Sequence, residues 1–184
     1  MRVIAGKARR ISLVSPPGSD VRPTQDRIKE TLFNILQDDI PGCRFLDLFA
    51  GTGGIGIEAL SRGAKHAAFV ENDRKALSCI RENLAKTKLA GEASVYAMDV
   101  MAALGGYMSD GGVFDIIFAD PPYRAGYEER LLRSLAASTA VGHDTTVIIE
   151  ASMETDISFI DGSDFEIYRI KDYKNNRHIF IKKK

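Results

Sequence analysis

The sequence has no tryptophan, only two cysteines among its 184 residues, and no long uninterrupted run of apolar residues. Without a run of roughly 18 apolar residues, the chain has no candidate for a membrane-spanning helix. Cys43 and Cys79 lie far apart and outside any Cys/His cluster, which argues against a disulfide framework or a zinc site. The basic N-terminus lacks the apolar stretch of a secretory signal. We therefore expect a cytoplasmic protein with no metal site and no membrane association.

The chain also lacks net charge, because 25 Lys and Arg residues balance 25 Asp and Glu residues, but the signs are unevenly distributed. Residues 1–30 hold seven basic and three acidic side chains, and residues 165–184 hold seven basic and two acidic ones. Both terminal regions are therefore positive, and the middle of the chain must be negative. This asymmetry indicates a polyanionic partner, or else two charged ends that are simply solvated.

Strand and helix patterns alternate along most of the chain, whose hydrophobic content of 45% is that of a globular protein. The patterns predict strands over 45–50, 67–71, 94–98, 114–119 and 146–150 and helices over 55–62, 73–86 and 128–137. Two further strands, 165–173 and 178–182, are expected to pair as an antiparallel hairpin. This order predicts a Rossmann-like, doubly wound α/β fold with a mostly parallel seven-stranded sheet.

The residues before this alternating region predict an N-terminal extension. Two β-like runs, 2–5 and 10–14, are expected to form a small β-hairpin, and a helix follows that ends near Pro41 and Gly42. The length is that of one domain. We expect a single domain, 1–184, divided into a hairpin extension (1–21), an N-terminal helix (22–42) and a Rossmann-like core (43–184).

A glycine-rich turn follows the first strand of the core. Gly51, Gly53 and Gly56 satisfy G-x-G-x-x-G, and Glu71 lies 20 residues after Gly51, at the end of the second predicted strand. Glycines there permit a tight turn and a close approach of the backbone to a ligand. The spacing also fits a dinucleotide-binding unit, so the turn alone leaves open a nicotinamide cofactor or another adenosyl cofactor.

Acidic residues lie at or near the ends of the first four core strands, at Asp47, Glu71, Asp99 and Asp120. Open α/β sheets bind ligands at these strand ends, so a pyrophosphate would meet several carboxylates there. Each like-charge contact at ~4 Å costs on the order of 4 kcal/mol at an effective dielectric constant of ~20. S-adenosylmethionine carries a sulfonium and an ammonium group and no phosphate. The electrostatics therefore favour S-adenosylmethionine over a dinucleotide.

The sequence Asp120-Pro121-Pro122-Tyr123 follows the apolar fourth strand. The two prolines stiffen the turn and remove N–H donors. The Asp120 carboxylate and the Pro121 carbonyl can accept the two N–H bonds of a planar amine, and Tyr123 offers an aromatic face to its ring. Accepting these protons returns electron density to the amine nitrogen. The motif therefore predicts methyl transfer to a planar amine, driven by positioning and electrostatics.

Together these motifs resemble those of class I S-adenosylmethionine-dependent methyltransferases, most closely the bacterial 16S rRNA guanine-N2 methyltransferases of the small-subunit methyltransferase D type. The resemblance covers nearly the whole chain and is weakest after Tyr173. It extends to residues 2–6, 22–27, 30, 32–34, 47–56, 58–64, 71–73 and 120–123. It implies methyl transfer to the N2 amine of a guanine, with ribosomal RNA or the assembling small subunit as partner.

The resemblance also implies roles for individual residues. The methionine part of the cofactor would contact Thr24, Asp47, Ala50, Gly51, Thr52 and Gly53, while the ribose and adenine would contact Glu71, Asn72, Asp99 and Val100. Asp120, Pro121 and Tyr123 would hold the flipped guanine as catalytic residues. We assign RNA contacts to Arg9, Arg10, Arg22 and Pro122, although the arginines at the hairpin tip are equally compatible with simple solvation.

Other functions remain open at this point. The Asp-Pro-Pro-Tyr motif also suits an adenine-N6 methyltransferase acting on DNA or RNA, or a methyltransferase of protein glutamine. The basic ends favour a polyanion over a protein, and the short chain leaves little room for a DNA-reading domain. A nicotinamide-dependent oxidoreductase and a non-catalytic RNA-binding module are less favoured. His66, His143 and His178 follow no metal-binding spacing and are expected to be structural or surface residues.

Overall fold

A computed structural model describes residues 1–16, 23–108, 112–122 and 127–184, with residues 23–25 and 107 described by their backbone alone. The α-helices in these parts are α1 (Pro23–Ile35), α2 (Gly54–Ser61), α3 (Arg74–Thr87), α4 (Val100–Ala102) and α5 (Tyr127–Ala137). The strands are β1 (Arg44–Leu48), β2 (His66–Glu71), β3 (Ala93–Ala97), β4 (Phe114–Ala119), β5 (Val141–Ser152), β6 (Phe165–Asp172) and β7 (Asn176–Lys183).

The seven strands form one sheet in the order β3-β2-β1-β4-β5-β7-β6. Strands β1 to β5 run parallel to one another, whereas β7 runs antiparallel to both β5 and β6. The strand order reverses between β1 and β4, and in sheets of this kind ligands bind at the carboxyl ends of the strands on either side of such a point. The predicted Rossmann-like fold with an antiparallel C-terminal hairpin is confirmed.

Apolar side chains cover both faces of the sheet. Phe45, Phe69 and Phe118 on one face pack with residues of α1, α2, α3 and the N-terminal segment. Leu46, Val70 and Ile117 on the other face pack with α5 and with the segment after β3. Burial on both faces explains why these strands are nearly continuously apolar, as parallel strands generally are.

Local signals at the helix ends are confirmed. The Asp73 side chain caps α3 by accepting hydrogen bonds from the backbone N–H groups of Lys75 (3.0 Å) and Ala76 (2.9 Å). Gly63 follows the end of α2 with a positive φ of 108°, the conformation expected of a C-terminal glycine. These contacts lie within a few residues of each other, so the sequence alone could predict them.

The predicted N-terminal hairpin is smaller than expected, with a single antiparallel bridge between Arg2 and Ser12. The helix α2 explains the difference, because it takes up the backbone donors that a second strand would use. The Glu58 carboxylate accepts hydrogen bonds from the N–H groups of Ile4 (2.8 Å) and Ala5 (3.0 Å). The segment is therefore fastened to the core rather than forming an independent hairpin.

Some element boundaries also differ from the prediction, and one helical segment was not predicted. Helix α1 ends at Ile35 rather than near Pro41, and hydrogen-bonded turns follow it. Strand β5 is longer than the predicted 146–150 at both ends: Phe114 of β4 pairs with Val141, and β7 pairs with the last six residues of β5. A short helix and a π-helical turn, Ala103–Tyr107, follow β3 where no helix was predicted. In the described parts of the chain, no helix is long and apolar enough to cross a membrane.

Candidate active site

The carboxyl ends of the parallel strands carry a row of five acidic side chains. In sheet order these are Asp99, Glu71, Asp47, Asp120 and Glu150. Glu71, Asp47 and Glu150 lie in β2, β1 and β5, whereas Asp99 and Asp120 follow β3 and β4. Four of them were expected from the sequence, and the topology places their strands side by side. The fifth, Glu150, extends the row toward the antiparallel hairpin.

The glycine turn between β1 and α2 has the backbone conformation that glycine permits. Gly51 and Gly53 have φ angles of 55° and 79°, in the left-handed region, and Gly53 caps the N-terminus of α2. At Gly56 the reason for glycine is packing, since a Cβ atom there would lie 2.3 Å from the ring of Phe69. The turn is thus shaped both by its own dihedral angles and by close contact with β2.

Asp47 lies beneath this turn and is fully enclosed, with 2% of its surface exposed. Its carboxylate accepts a hydrogen bond of 2.8 Å from the backbone N–H of Gly56. Burial raises the pKa of Asp47 to about 7, the hydrogen bond from Gly56 opposes this, and the charge of Glu71 adds to it. A cationic ligand near Asp47 would favour the ionised carboxylate.

Glu71 joins the glycine turn to the loop after β2. One carboxylate oxygen accepts a hydrogen bond from the N–H of Gly51 (2.8 Å), and the other accepts from Asn72 (2.8 Å) and Asp73 (2.9 Å). These bonds orient the carboxylate at the strand end and leave lone pairs available to hydroxyl groups. Ala50 is tied to the same strand, since its N–H donates to the carbonyl of Val70 (3.0 Å).

Asp99 and Val100 lie at the next strand tip. The Asp99 side chain is exposed and accepts a hydrogen bond of 2.8 Å from the N–H of Met101, which caps α4. Val100 is buried in the apolar layer on one face of the sheet. One residue therefore presents a carboxylate to solvent, and the next buries an apolar side chain.

Asp120, Pro121 and Pro122 follow β4 directly. Solvent reaches the side chain of Asp120, although protein atoms crowd its carboxyl group, while Pro121 is buried. Burial, followed by the charges of Glu150 and Asp47, raises the pKa of Asp120 to about 7. Strands β1 and β4 are neighbours in the sheet, so Asp47 near the end of one and Asp120 just after the other lie at adjacent strand tips.

Glu150 belongs to a cluster that the sequence did not reveal. Its carboxylate lies 3.1 Å from Nε2 of the buried His178 and also accepts a hydrogen bond from the amide of Asn176. The other ring nitrogen of His178 lies 3.2 Å from the hydroxyl of Tyr173. His178 was expected to be structural or on the surface; the structure buries it beside the ring of Phe118. Only the register of β7 against β5 brings these residues together.

Asn83 is a second residue that sequence reasoning missed. It is completely buried in α3, and its amide donates to the carbonyls of Thr52 (3.0 Å) and Val14 (3.0 Å). Its carbonyl accepts from the N–H of Val14 (2.6 Å). Asn83 therefore fastens the N-terminal segment to the glycine turn, so that the segment lies against the proposed cofactor region.

The remaining expected site residues are separate from the strand tips or lie beyond what the structure describes. Arg9 and Arg10 are exposed and line a cavity of ≈ 500 Å³ between the N-terminal segment and α1, together with Arg2 and Arg27. Arg22 and Tyr123 lie outside the described residues. Thr24 lies in the first turn of α1, and its side chain is outside the described part.

The family model described as Conserved hypothetical protein 95 matches residues 1–182. The chain belongs to this family. Ribosomal RNA small subunit methyltransferase D of Escherichia coli is 37% identical over 154 residues, which are 84% of this chain and 76% of that protein. The protein of the same name from Haemophilus influenzae is 31% identical over 84% of this chain and 80% of its own length. The resemblance expected from the sequence is confirmed.

Solved structures agree with the fold. The structure of yhhF from Escherichia coli superposes with a TM-score of 0.83 and 32% identity, covering all of this chain and 97% of that one. The 16S rRNA N2 G1207 methyltransferase of Thermus thermophilus, in complex with AdoMet and guanosine, has a TM-score of 0.71 and 20% identity. The match covers 92% of this chain and 45% of that protein, and shows that the two share a fold.

The carboxyl groups at the strand tips suit a positively charged adenosyl ligand. The turn from Phe49 to Gly56 contains no Lys or Arg side chain that could neutralise a pyrophosphate. The carboxylates of Asp47 and Glu71 flank that turn and favour a cation. The arrangement therefore fits the sulfonium and ammonium groups of S-adenosylmethionine better than the phosphates of a dinucleotide.

Proposed function

We propose that this protein transfers a methyl group from S-adenosylmethionine to the N2 amine of a guanine in small-subunit (16S) ribosomal RNA. The observation that carries the proposal is the position of Asp120-Pro121 next to Asp47 and the glycine turn, in a chain of this family. The relatives named ribosomal RNA small subunit methyltransferase D support rRNA as the substrate. The acceptor pair directly after β4 supports a planar amine as the methylated group.

The first half of the row of carboxyl groups, formed by Asp47, Glu71 and Asp99, would bind the cofactor. Asp47 and the turn from Ala50 to Gly53 would hold the methionine part, because ionised carboxylate and turn carbonyls stabilise an ammonium group. Glu71 would accept hydrogen bonds from the ribose hydroxyls, and Asn72 would lie beside the adenine. Asp99 would accept from the adenine amine, and the apolar side chain of Val100 would flank the ring. The cofactor supplies an electrophilic methyl carbon on sulfur.

The second half would bind the target base. The carboxylate of Asp120 and the carbonyl of Pro121 would accept the two N–H bonds of the amine, which rotates its lone pair toward the methyl group. Tyr123, which directly follows Pro122 in the sequence, would stack on the guanine. A base inside a helix cannot reach this position, so the guanine must swing out of its stack.

The charge distribution supports RNA as the macromolecular partner. Arg9 and Arg10 are exposed beside Arg2 and Arg27 in a cavity that Asp26 and Glu30 also line, with Asp26 3.5 Å from Arg2. The four guanidinium ions outnumber the two carboxylates and would contact phosphates without reading the base sequence. Ribosomal RNA or an assembling small subunit in the cytoplasm is therefore the proposed partner. Arg22 and Pro122 complete the proposed set of RNA contacts.

The experiment combines methyl transfer with analysis of the product. The purified chain is incubated with methyl-labelled S-adenosylmethionine and with ribosomal RNA or small subunits from cells that lack the enzyme, and labelled nucleosides are identified by mass spectrometry. We expect N2-methylguanosine. Labelled N6-methyladenosine would replace the guanine assignment with an adenine one, and cofactor binding without label in any RNA would contradict the proposal.

A further inference from the structure

The C-terminal hairpin places a hydrogen-bonded cluster against the amine-binding end of the sheet. It consists of Glu150 on β5, Asn176 and His178 on β7, and Tyr173 between β6 and β7. Both carboxylate oxygens of Glu150 have partners in this cluster, Asn176 at one and His178 at the other. The expected guanine clamp does not include any of these four residues.

The register of the sheet puts Glu150 beside Asp120. Ala119 on β4 pairs with Ile149 on β5, and Asp120 and Glu150 are the residues that follow this pair. Neighbouring strands are about 4.8 Å apart and paired positions point to the same face, so the two side chains leave the sheet side by side. His178 pairs with Glu150 across β7 and continues the row.

The hydrogen bonds give the cluster a direction. An ionised carboxylate only accepts, so Nε2 of His178 must donate its N–H to Glu150 (3.1 Å). Burial, with the charge of Glu150, raises the pKa of Tyr173 to about 12, so its hydroxyl stays protonated and can donate to Nδ1 of His178. The chain from Tyr173 through His178 thus ends on Glu150 and holds a negative charge there.

We propose that Glu150, held by His178 and Asn176, is a positioning residue that fixes a second negative charge beside Asp120, so that Asp120 takes up the proton which the amine loses. This inference rests on the proposed function. As the nitrogen bonds to the methyl carbon, the carbon–sulfur bond breaks and sulfur keeps the electron pair. One N–H bond then breaks, and its proton moves to the Asp120 carboxylate.

The groups that act on Asp120 come from several elements. Among the described residues, Glu150 on β5 has the larger electrostatic effect and Asp47 on β1 the smaller, and both raise the pKa of Asp120. Glu71 on β2 acts on Asp47, and Arg169 on β6 acts on Tyr173. His178 on β7 touches Glu150. A like charge fixed beside a carboxylate makes it a better proton acceptor at neutral pH.

A titration of the full-length protein tests the role of Glu150 directly. Aspartate carboxyl groups are labelled with ¹³C, and the Asp120 signal is assigned by its loss in Asp120→Asn. In Glu150→Gln, which keeps the size of the side chain, we expect the midpoint of Asp120 to fall by about 1 pH unit. The exposed Glu154→Gln removes the same charge from the same segment and should leave the midpoint unchanged. An unchanged midpoint in Glu150→Gln would overturn the proposal.

Kinetics supply the second readout. In Glu150→Gln, the acid limb of the pH profile of kcat should shift to lower pH by a similar amount. The affinity for S-adenosylmethionine should not change. Tyr173→Phe removes only the hydroxyl that bonds His178, and it should shift the same limb by a smaller amount. If Glu150→Gln does not fold, Tyr173→Phe and the titration of its Asp120 decide the question. A lower kcat with an unshifted limb in these variants would contradict the proposal.

The two measurements separate this inference from the proposed function. The titration needs neither cofactor nor RNA. A shifted midpoint in a protein that methylates no RNA would therefore contradict the proposed function alone. Normal methyl transfer with an unshifted midpoint in Glu150→Gln would contradict the role of Glu150 alone.

Discussion

The two halves of the candidate site hold their carboxylates in different ways. On the side of β1 and β2, backbone N–H groups hold the carboxylates: the N–H of Gly56 donates to Asp47, and that of Gly51 donates to Glu71. On the side of β4 and β5, side chains from a distant hairpin do so, with His178 and Asn176 bound to Glu150. The first half is built from one local segment, and the second from strands that meet only in the folded sheet.

Because of this difference, one half of the site mainly sets the shape of the glycine turn, and the other mainly sets the proton affinity of Asp120. Backbone donors fix the shape of the glycine turn. The side-chain cluster instead fixes a charge, and its effect reaches Asp120 through space. We therefore expect changes in the first half to affect stability and cofactor binding, and changes in the second half to affect the reaction itself.

Asp120→Asn gives the largest expected effect and tests the second half. An amide keeps the size but loses the ionised acceptor, so methyl transfer should fall by about 100- to 1000-fold, a loss of ~3–4 kcal/mol in transition-state stabilisation. Cofactor affinity measured by calorimetry should change little. The exposed Asp144→Asn on β5 is the matched control. Equal losses of rate and cofactor affinity would contradict the division between the halves.

Gly56→Ala tests the first half. The new Cβ atom would lie 2.3 Å from the Phe69 ring, which is buried and cannot move away, so the free energy of unfolding should fall by about 3 kcal/mol. Urea denaturation measures the change. Gly91→Ala, where a Cβ atom would meet nothing within 4 Å, should be nearly neutral. A stable Gly56→Ala protein would show that the turn is not close-packed against β2.

Asn83→Ala tests how firmly the N-terminal segment is attached to the first half. It removes hydrogen bonds to Thr52 and Val14 from a completely buried side chain, which should cost about 2 kcal/mol of stability. Cofactor affinity should fall as well, because the turn carbonyl of Thr52 loses its partner. The neighbouring exposed Glu82→Ala should change neither. Unchanged protection of Val14 from hydrogen exchange in Asn83→Ala would argue against the attachment.

The smallest effect concerns the pH dependence of stability. The pKa of Asp47 is about 7 in the folded protein and 3.8 ordinarily, so the folded state binds the proton more tightly. This stabilisation is complete below pH 3.8 and is lost as the pH rises through 7. Between pH 6 and 8 it should cost the ligand-free protein about 1 kcal/mol.

Asp47→Asn, which cannot ionise, should lack this part of the pH dependence in thermal unfolding. Affinity for a cationic cofactor should show the opposite trend in the unaltered protein and increase over the same range, because the ligand favours the ionised carboxylate. Parallel pH profiles for the protein and Asp47→Asn would show that Asp47 is ionised throughout.

Much of the fold could be predicted because its signals are local. The cap at Asp73, the glycine after α2 and the apolar strands all depend on neighbours within a few residues. The N-terminal hairpin was overestimated for the same reason, since Glu58 and Ser61 on α2 take its backbone hydrogen bonds. The roles of the individual cofactor and RNA residues, and the division at 21 and 42, stay predictions.

From its residues alone, this sequence determined an α/β core with an acid-lined glycine turn and a rigid Asp-Pro-Pro-Tyr segment, because strand periodicity, turn chemistry and caps act over short distances. Only the tertiary structure decided that Glu150 stands beside Asp120 and that His178, 28 residues further on, holds it. The reason is physical: the register between β5 and β7 follows from the packing of the whole sheet, which no short segment encodes.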